Sequence, residues 1–262
     1  MNLTHGLFGW VDNTSPDVEA SRAFYEGLFG WTSTDTPMPG GPAYTQFYKD
    51  GQLVAGLGPM PDEMLAAGIP STWNSYVIVT DADEIAKATE AAGGQVVMPV
   101  MDIMTQGRMA LISDPSGATL GIWQPVDHQG AELFNEPGSL TWNELQSRDL
   151  ERAKAFYSEV FGWRWVDGEV PDAEYFVGNL DAKTGDDKSN CGAMPMPDMV
   201  PASVPSMWMV YFAVADCDAS VARAQELGAT LFFPPMDMGP GRFAGVTDPV
   251  GAMFFFGAMP PS

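Results

Sequence analysis

Two short segments of the chain pair an indole with a carboxylate at a spacing of two residues. Trp10 and Asp12 stand in LFGWVD, and Trp142 and Glu144 stand in GSLTWNELQ, each within the alternation of a β-strand. Alternate side chains of a strand project from the same face, so each indole should lie beside its carboxylate. A carboxylate that faces a cavity can act as a general base with a raised pKa, or accept a hydrogen bond from a ligand amine or hydroxyl. We therefore predict Asp12 and Glu144 as candidate catalytic residues, and both tryptophans as walls of a binding site.

A structural role for the two carboxylates is the competing interpretation. Arg108 and Arg242 occupy matching positions in two Gly-Arg pairs. A guanidinium forms strong hydrogen bonds with a carboxylate, so each arginine could neutralise one acid and hold it in place. The sequence leaves both interpretations open, and the two arginines are counted among the candidate ligand-binding residues.

Four more aromatic residues lie in two strongly β-like segments, WNSYVIVTD and WMVYFAVAD. They are Trp73, Tyr76, Trp208 and Tyr211. Such residues most often fill a core. A sheet that encloses a cavity has a concave face as well as a helix-covered one, however, and some of its aromatic side chains should line the cavity. All four are therefore candidate ligand-binding residues.

Other kinds of catalytic site find little support in the sequence. The two histidines of the chain, His5 and His128, are too few for a Ser-His-Asp or Cys-His arrangement. The two cysteines, Cys191 and Cys217, lack a CxxC spacing and are predicted to be reduced thiols. Nothing in these residue types indicates a cofactor.

Charge narrows the range of partners. Asp and Glu number 34 against 12 Lys and Arg, and the resulting net charge of −22 repels phosphate backbones and anionic lipid. No apolar run approaches the roughly 20 residues that a membrane helix needs, and no signal-like segment opens the chain. We therefore expect a small-molecule ligand, no nucleic acid, no membrane, and a cytoplasmic protein that is a monomer or a homodimer.

The chain contains an internal duplication. The block SRAFYEGLFGW at 21–31 matches RAKAFYSEVFGW at 152–163. Later, GRMALISDPSGA at 107–118 matches GRFAGVTDPVGA at 241–252. The period is too long, and the copies too few, for a solenoid. The two predicted modules are residues 1–128 and residues 129–262.

Each module is predicted to contain the same series of elements. A short strand leads to Asp17 in the first copy or Asp149 in the second, both suitable N-caps. The helix that follows should end at Gly30 or Gly162, where a left-handed residue is favoured. Further strands, a second helix and a closing hairpin with a DPxG turn complete two βαβββ units per module. We predict an α+β protein whose curved mixed sheets surround a pocket.

These blocks resemble the vicinal oxygen chelate superfamily, which includes glyoxalase I, extradiol dioxygenases and bleomycin-resistance proteins. The resemblance rests on the opening strand, the FY and FGW segments of the first helix, and the late DPxG hairpin, and it covers essentially the whole chain. The doubled pattern is most similar to the two-module glyoxalase-like proteins of actinobacteria, of the mycobacterial antigen type. The resemblance implies tandem βαβββ modules around a pocket, but a fold does not fix chemistry.

The resemblance also implies positions for a metal. In the family, His or Glu ligands on the first and last strands of each module hold one divalent ion. The matching positions here are Trp10 and Trp142 on the first strands, and Gly121 and Phe255 on the last. None of these side chains can bind a metal, so we predict no metal site.

Three functions follow, in order of preference. The first is a metal-free protein that binds a small, partly apolar metabolite or antibiotic between aromatic walls, as sequestering or resistance members of the family do. The second is a metal-independent isomerase, lyase or cyclase of metabolite biosynthesis, with Asp12 or Glu144 as its acid/base. The third, a metal-dependent glyoxalase or dioxygenase, is distant.

Overall fold

The computed structural model describes residues 4–38, 40–170, 173–183, 187–239 and 241–259. The elements of the first copy are β1 (Phe8–Ser15), α1 (Val18–Phe29), β2 (Thr32–Thr36), β3 (Tyr44–Lys49), β4 (Gln52–Pro59), α2 (Asp62–Ala66), β5 (Thr72–Ile78), α3 (Ala82–Ala91), β6 (Gln95–Ile103), β7 (Gly107–Ser113) and β8 (Thr119–Pro125). Those of the second copy are β9 (Leu140–Ser147), α4 (Leu150–Phe161), β10 (Arg164–Asp167), β11 (Phe176–Asn179), β12 (Ser189–Pro195), β13 (Met207–Ala213), α5 (Cys217–Glu226), β14 (Thr230–Met238), β15 (Gly241–Thr247) and β16 (Met253–Ala258).

The strands form two mixed sheets of eight strands each. Their orders are β2-β3-β4-β1-β5-β8-β7-β6 and β10-β11-β12-β9-β13-β16-β15-β14. In each βαβββ unit the first strand runs parallel to the last, as β1 does to β4 and β9 to β12. The hairpin strands pair antiparallel. The predicted α+β class with tandem modules is confirmed.

The first helix of each copy begins and ends where the sequence predicts. The Asp17 carboxylate accepts a hydrogen bond from the Ala20 amide at 3.0 Å, and Gly30 ends α1 in the left-handed conformation with φ 66°. In α4, Asp149 is the N-cap and Gly162 the left-handed C-cap, with φ 73°. The caps satisfy backbone groups that helix ends leave without partners, and so fix where the chain turns back into the sheet.

The chain folds into two compact units, and each contains strands of both copies. Unit 1 consists of the residues up to Trp10, Ser75–Gly130 and Trp142–Met209. Unit 2 consists of Val11–Asn74, Ala131–Thr141 and the residues from Val210 onwards. Each unit has a hydrophobic core of its own, to which both copies contribute. The duplicated modules and the compact units are therefore different divisions of the same chain.

A buried hydrogen-bond chain ties a helix of the first copy to a turn of the second copy in unit 2. In unit 2 the Trp73 indole donates to the Tyr25 hydroxyl at 2.8 Å, which donates to Asp248 Oδ2 at 2.7 Å. Burial, followed by the charge of Asp248, raises the pKa of Tyr25 well above its usual value. In unit 1 the Trp208 indole donates to the Tyr157 hydroxyl at 2.8 Å, and burial, followed by the charge of Asp114, raises the pKa of Tyr157 well above its usual value.

The aspartate of each DPxG turn is fixed by its own backbone. Asp248 Oδ1 accepts hydrogen bonds from the amides of Val250 at 3.0 Å and Ala252 at 2.8 Å. Its side chain is almost completely buried, and burial raises the pKa of this carboxyl. The turn therefore presents an oriented acceptor to the Tyr25 hydroxyl.

Candidate functional site

The first carboxylate of interest, Asp12 on β1, is held by neutral side chains of unit 2. The Tyr44 hydroxyl donates to Asp12 Oδ2 at 3.1 Å, and the Asn74 amide donates to Asp12 Oδ1 at 2.9 Å. The same amide nitrogen lies 2.9 Å from Thr14 Oγ1. All four side chains are half-buried. We call these four residues the Asp12 cluster.

A glycine on the neighbouring strand makes room for the tyrosine of this cluster. In the parallel β1–β4 pair, Asp12 lies opposite Gly56. A Cβ atom on Gly56 would overlap the Tyr44 hydroxyl oxygen. The tyrosine therefore reaches the carboxylate by packing directly on the backbone of Gly56. Any residue with a side chain at position 56 would occupy that space.

The second carboxylate, Glu144 on β9, has a closely similar arrangement in unit 1. The Trp142 indole donates to the Tyr175 hydroxyl at 2.9 Å, and Glu144 lies near enough to that hydroxyl to raise its pKa. The Gln146 amide donates to Glu144 Oε1 at 3.3 Å. Burial, followed by the negative charge of Glu144, raises the pKa of Tyr175. We call these four residues the Glu144 cluster.

Glycine has the same role in this second cluster. Glu144 lies opposite Gly192 in the parallel β9–β12 pair. A Cβ atom on Gly192 would overlap the Tyr175 hydroxyl oxygen. The duplicated feature is therefore a carboxylate, a tyrosine and a glycine, with Glu144 only 6% exposed and Asp12 more open.

The two candidate arginines bind other acids. Arg108 forms ion pairs with Asp83 at 2.7 Å and with Asp102 at 3.0 Å. Its counterpart Arg242 pairs with Asp218 at 2.6 Å and with Asp237 at 3.1 Å. These acids lie at the protein surface, on the helix and the strand that precede each arginine in its own copy, α3 and β6 or α5 and β14. The suggested pairing of these two arginines with Glu144 and Asp12 is therefore wrong. The donors that the structure shows are Tyr44 and Asn74 for Asp12, and Gln146 for Glu144.

Tyr76 on β5 and Tyr211 on β13 lie against the closing strands of their copies, β8 and β16. Tyr76 pairs with Gly121, and a Cβ atom on Gly121 would overlap the Tyr76 ring. In unit 2, Tyr211 pairs with Phe255, and their rings stack with centroids 4.6 Å apart and planes at 10°. An aromatic ring thus covers the closing strand in both copies.

The tryptophans of the same strands lie on the other side of the sheet. Trp73 and Tyr76 are separated by three residues, an odd spacing that places them on opposite faces of a strand, and the same holds for Trp208 and Tyr211. Both indoles are buried in the helix-covered core, in the hydrogen-bond chains described above. Of the four aromatic candidates for ligand binding, Trp73 and Trp208 are therefore core residues, whereas Tyr76 and Tyr211 lie on the opposite face of the sheet.

A histidine that the sequence gave no role lies beside a predicted site residue. The ring of His128 meets that of Trp10 edge-on, with centroids 4.4 Å apart and planes at 82°. The Trp123 indole donates to the His128 carbonyl oxygen at 2.8 Å, which fixes the start of the inter-module connection. Trp10 is only 3% exposed, whereas Trp142 is half-exposed.

Comparison with known proteins places the chain in a family. The model of the glyoxalase/bleomycin resistance protein/dioxygenase superfamily matches residues 8–122 and residues 139–256. The chain belongs to this superfamily, and carries its module twice.

Several curated proteins are similar along nearly the whole length. The chain is 41% identical over 253 residues to a protein of Mycobacterium tuberculosis and of Mycobacterium bovis called putative glyoxylase CFP32, covering 95% of this chain and 93% of that one. It is 38% identical over 265 residues to the anthracycline biosynthesis proteins DnrV of Streptomyces peucetius and DauV of a Streptomyces species, covering 95% and 92%.

Solved structures show the same fold at low identity. The Mn(II)-bound glyoxalase of Novosphingobium aromaticivorans superposes with a TM-score of 0.65 at 16% identity, over 97% of this chain and 82% of that one. The 2,3-dioxygenase LapB of Pseudomonas sp. KL28 gives a TM-score of 0.64 at 12% identity, over 100% and 96%.

A metal of the kind that this fold family holds does not fit the side chains present. Of the four positions that match metal ligands of the family, two carry the indoles of Trp10 and Trp142, and the Trp142 indole donates to Tyr175. The other two are Gly121, which lies beneath the Tyr76 ring, and Phe255, which stacks on Tyr211. The described residues contain no group of three or more His, Cys, Asp or Glu arranged to hold an ion.

Among the described helices, none has the length and hydropathy of a membrane crossing.

Proposed function

We propose that this protein binds a small hydroxylated aromatic metabolite, without a metal, at its carboxylate and tyrosine clusters. The observation that carries the proposal is the duplicated arrangement in which a tyrosine, Tyr44 or Tyr175, lies over a glycine and beside a carboxylate, Asp12 or Glu144. A carboxylate accepts hydrogen bonds through both of its oxygens. A ligand hydroxyl or amine can therefore form a charge-assisted hydrogen bond there, which is about twice as strong as a neutral one.

Charge and aromatic content define the class of ligand. With a net charge of −22, the protein repels anions, so the ligand is neutral or cationic. The half-exposed Trp142 offers a ring surface beside Glu144. Binding sites for small molecules gain most of their affinity from apolar and aromatic contacts and use a few polar groups for orientation. A hydroxylated, flat, aromatic molecule satisfies both requirements.

The relatives support this class of ligand. Two of them are named anthracycline biosynthesis proteins, and anthracyclines are hydroxylated polycyclic aromatic compounds. The others are named putative glyoxylases, a name that describes an activity on small oxygenated molecules. A metabolite-binding role agrees with both names.

A second candidate function is acid/base catalysis without a metal, as in an isomerase, a lyase or a cyclase of metabolite biosynthesis. The observation that favours it is the contact of a carboxylate that is only 6% exposed with a phenol, Glu144 with Tyr175. A carboxyl and a phenol that lie close together in a buried site are suited to proton transfer to and from a bound substrate.

Binding of the hydroxyanthraquinone emodin tests the proposal. We expect it to quench tryptophan fluorescence and to raise the melting temperature, because a ligand that binds the folded state stabilises it. Asp12→Asn and Glu144→Gln should weaken binding by about tenfold or more at the cluster that holds the ligand. Arg242→Gln, which affects only two surface ion pairs, is the matched control.

Two results would redirect the assignment. If both carboxylate variants bind emodin as wild type does but abolish a turnover found with a related substrate, catalysis replaces sequestration. Elemental analysis that finds about one tightly held divalent ion per purified chain would overturn both metal-free functions.

A further inference from the structure

A polar surface continues from the Asp12 cluster across β2 and β3. Thr36 Oγ1 donates to Gln46 Oε1 at 3.3 Å, and the Tyr48 hydroxyl donates to the same oxygen at 3.4 Å. Thr34 Oγ1 donates in turn to the Tyr48 hydroxyl at 3.5 Å. These four side chains are half-buried or exposed, and all belong to unit 2.

Strand register places these residues on one face with the cluster. Tyr44, Gln46 and Tyr48 alternate along β3. Thr36 lies opposite Tyr44, and Thr34 lies opposite Gln46, in the antiparallel β2–β3 pair. Because directly paired residues project to the same side, Thr34 and Thr36 share the face that carries Gln46, Tyr48 and Tyr44. The hydroxyl of Tyr44 is the one that contacts Asp12. We call Thr34, Thr36, Gln46 and Tyr48 the hydroxyl face.

The described residues of the second copy do not form this surface. Tyr175 corresponds to Tyr44, since both hydroxyls lie over a glycine opposite the carboxylate. Two residues further along β11 stands Val177, which pairs with Val166 on β10. The Thr34–Gln46 pair of the first copy is therefore replaced by two valines in the second. The two copies share the carboxylate, the tyrosine and the glycine but differ at this strand pair, and the difference marks a difference in what the two surfaces contact.

The chemistry of the hydroxyl face matches that of a sugar. Its groups are neutral, and hydroxyls and an amide supply both donors and acceptors. Its internal hydrogen bonds are long, at 3.3 to 3.5 Å, and so are weak and readily exchanged for bonds to a ligand. Two tyrosine rings, Tyr44 and Tyr48, offer half-buried apolar surface for the C–H groups of such a ligand. A phosphate or carboxylate would be repelled by Asp12.

We propose that the hydroxyl face binds a neutral, polyhydroxylated, sugar-like group of the ligand, adjacent to the Asp12 cluster. This inference rests on the proposed function, because the sugar-like group is part of the same aromatic ligand. The second copy, with its valine pair, contributes no equivalent subsite. Glycosylated aromatic molecules are therefore better ligands than their aglycones.

Emodin and its neutral glucoside form a matched pair of probes. Wild-type protein should bind the glucoside about tenfold more tightly in isothermal titration calorimetry, because several hydrogen bonds to the sugar each contribute about 1 kcal/mol. The Thr34→Val/Gln46→Val double variant, which copies the valine pair of the second copy, should lose this preference and bind emodin unchanged. Ser33→Val, on the opposite face of β2, is the control and should retain the preference.

The outcomes separate the subsite from the proposed function. If emodin binds but the glucoside binds no more tightly, or if the double variant keeps the preference, the hydroxyl face is not a sugar subsite and the proposed function stands. If emodin does not bind at all, the proposed function fails for this ligand class. Saturation-transfer NMR with methyl glucoside then tests the subsite alone: a signal that the double variant loses supports it, and the absence of a signal in wild type overturns it.

Discussion

The hydroxyl oxygen of Tyr175 lies where a Cβ atom of Gly192 would stand, and in this position it contacts Glu144. The same relationship joins Tyr44 and Gly56 in the first copy. A tyrosine that packs on the backbone of a glycine lies at a fixed height above the sheet. Because that glycine is paired with the carboxylate residue, the backbone of the two strands sets the distance between phenol and carboxylate. Each cluster therefore depends on a residue that has no side chain.

Gly192→Ala should displace Tyr175 and lower the free energy of unfolding by about 1–3 kcal/mol, the usual cost of overpacking. Urea unfolding measures the loss. Gly41→Ala, where a Cβ atom would meet nothing within 4 Å, should leave the stability nearly unchanged. Equal stability of the Gly192 and Gly41 variants would show that the tyrosine moves aside freely, contrary to the fixed geometry inferred here.

Tyr175→Phe should cost more stability than Tyr44→Phe. The first change takes the acceptor from the Trp142 indole and a polar neighbour from Glu144, which is only 6% exposed, and loss of a partner of a buried polar group costs about 1–3 kcal/mol. The second change affects the half-buried Asp12, which retains its 2.9 Å hydrogen bond from Asn74. Denaturant unfolding of both variants tests the order, and the reverse order would contradict the difference in burial.

Tyr25→Phe should weaken the link between the helix of one copy and the turn of the other. It removes the 2.7 Å hydrogen bond to Asp248 and deprives the Trp73 indole of its acceptor, at a cost of about 1–3 kcal/mol for each buried group left without a partner. A double-mutant cycle with Asp248→Asn should give a coupling energy above about 0.5 kcal/mol. Additive effects would mean that the two residues are energetically independent.

Two aspartates should affect the pH dependence of stability with opposite signs. The pKa of Asp248 is raised by burial, so its stabilising contribution is complete below its ordinary value of 3.8 and is lost as the pH rises through the folded value. The pKa of Asp218 is lowered by its hydrogen bond from Arg242, so its contribution is present above 3.8 and is lost as the pH falls through the folded value.

Unfolding free energies between about pH 3 and about pH 7 check both signs. Relative to wild type, Asp248→Asn should become progressively more stable as the pH rises, because it removes a group that ionises at a cost. Asp218→Asn should become progressively less stable over the same rise, because it loses the ion pair. A common sign for the two variants would contradict the assigned causes of the pKa shifts.

The sequence predicts the architecture well because duplication and capping are local or repeated signals. The helix ends at Asp17 and Gly30, the placement of Trp142 and Glu144 on one strand face, and the tandem α+β modules all follow from spacing alone. Strand alternation would also have separated Trp73 from Tyr76, since their odd spacing places them on opposite faces. That signal was present in the sequence and was outweighed by the expectation of an aromatic cavity.

The partners of the carboxylates were not predictable in the same way. Tyr44 is 32 positions from Asp12 along the chain, and only the register of β3 on β4 brings its hydroxyl there. The glycines opposite the acids, in the segments VAGLG and CGAMP, were a usable hint, because glycine inside a strand often marks a close approach. The 223-residue separation of Tyr25 from Asp248 left no signal of either kind.

The mixed composition of the two compact units has a consequence for how the chain can be divided. A cut in the connection between the duplicated copies would leave neither fragment with a complete hydrophobic core, since both core clusters draw on residues before and after it. The fragments would be obligate partners, each misfolded alone and rescued by co-expression with the other. The chain could therefore serve as a split protein. Its two fragments would form the folded protein only when they are brought together, so that its formation would report an interaction between two proteins fused to them.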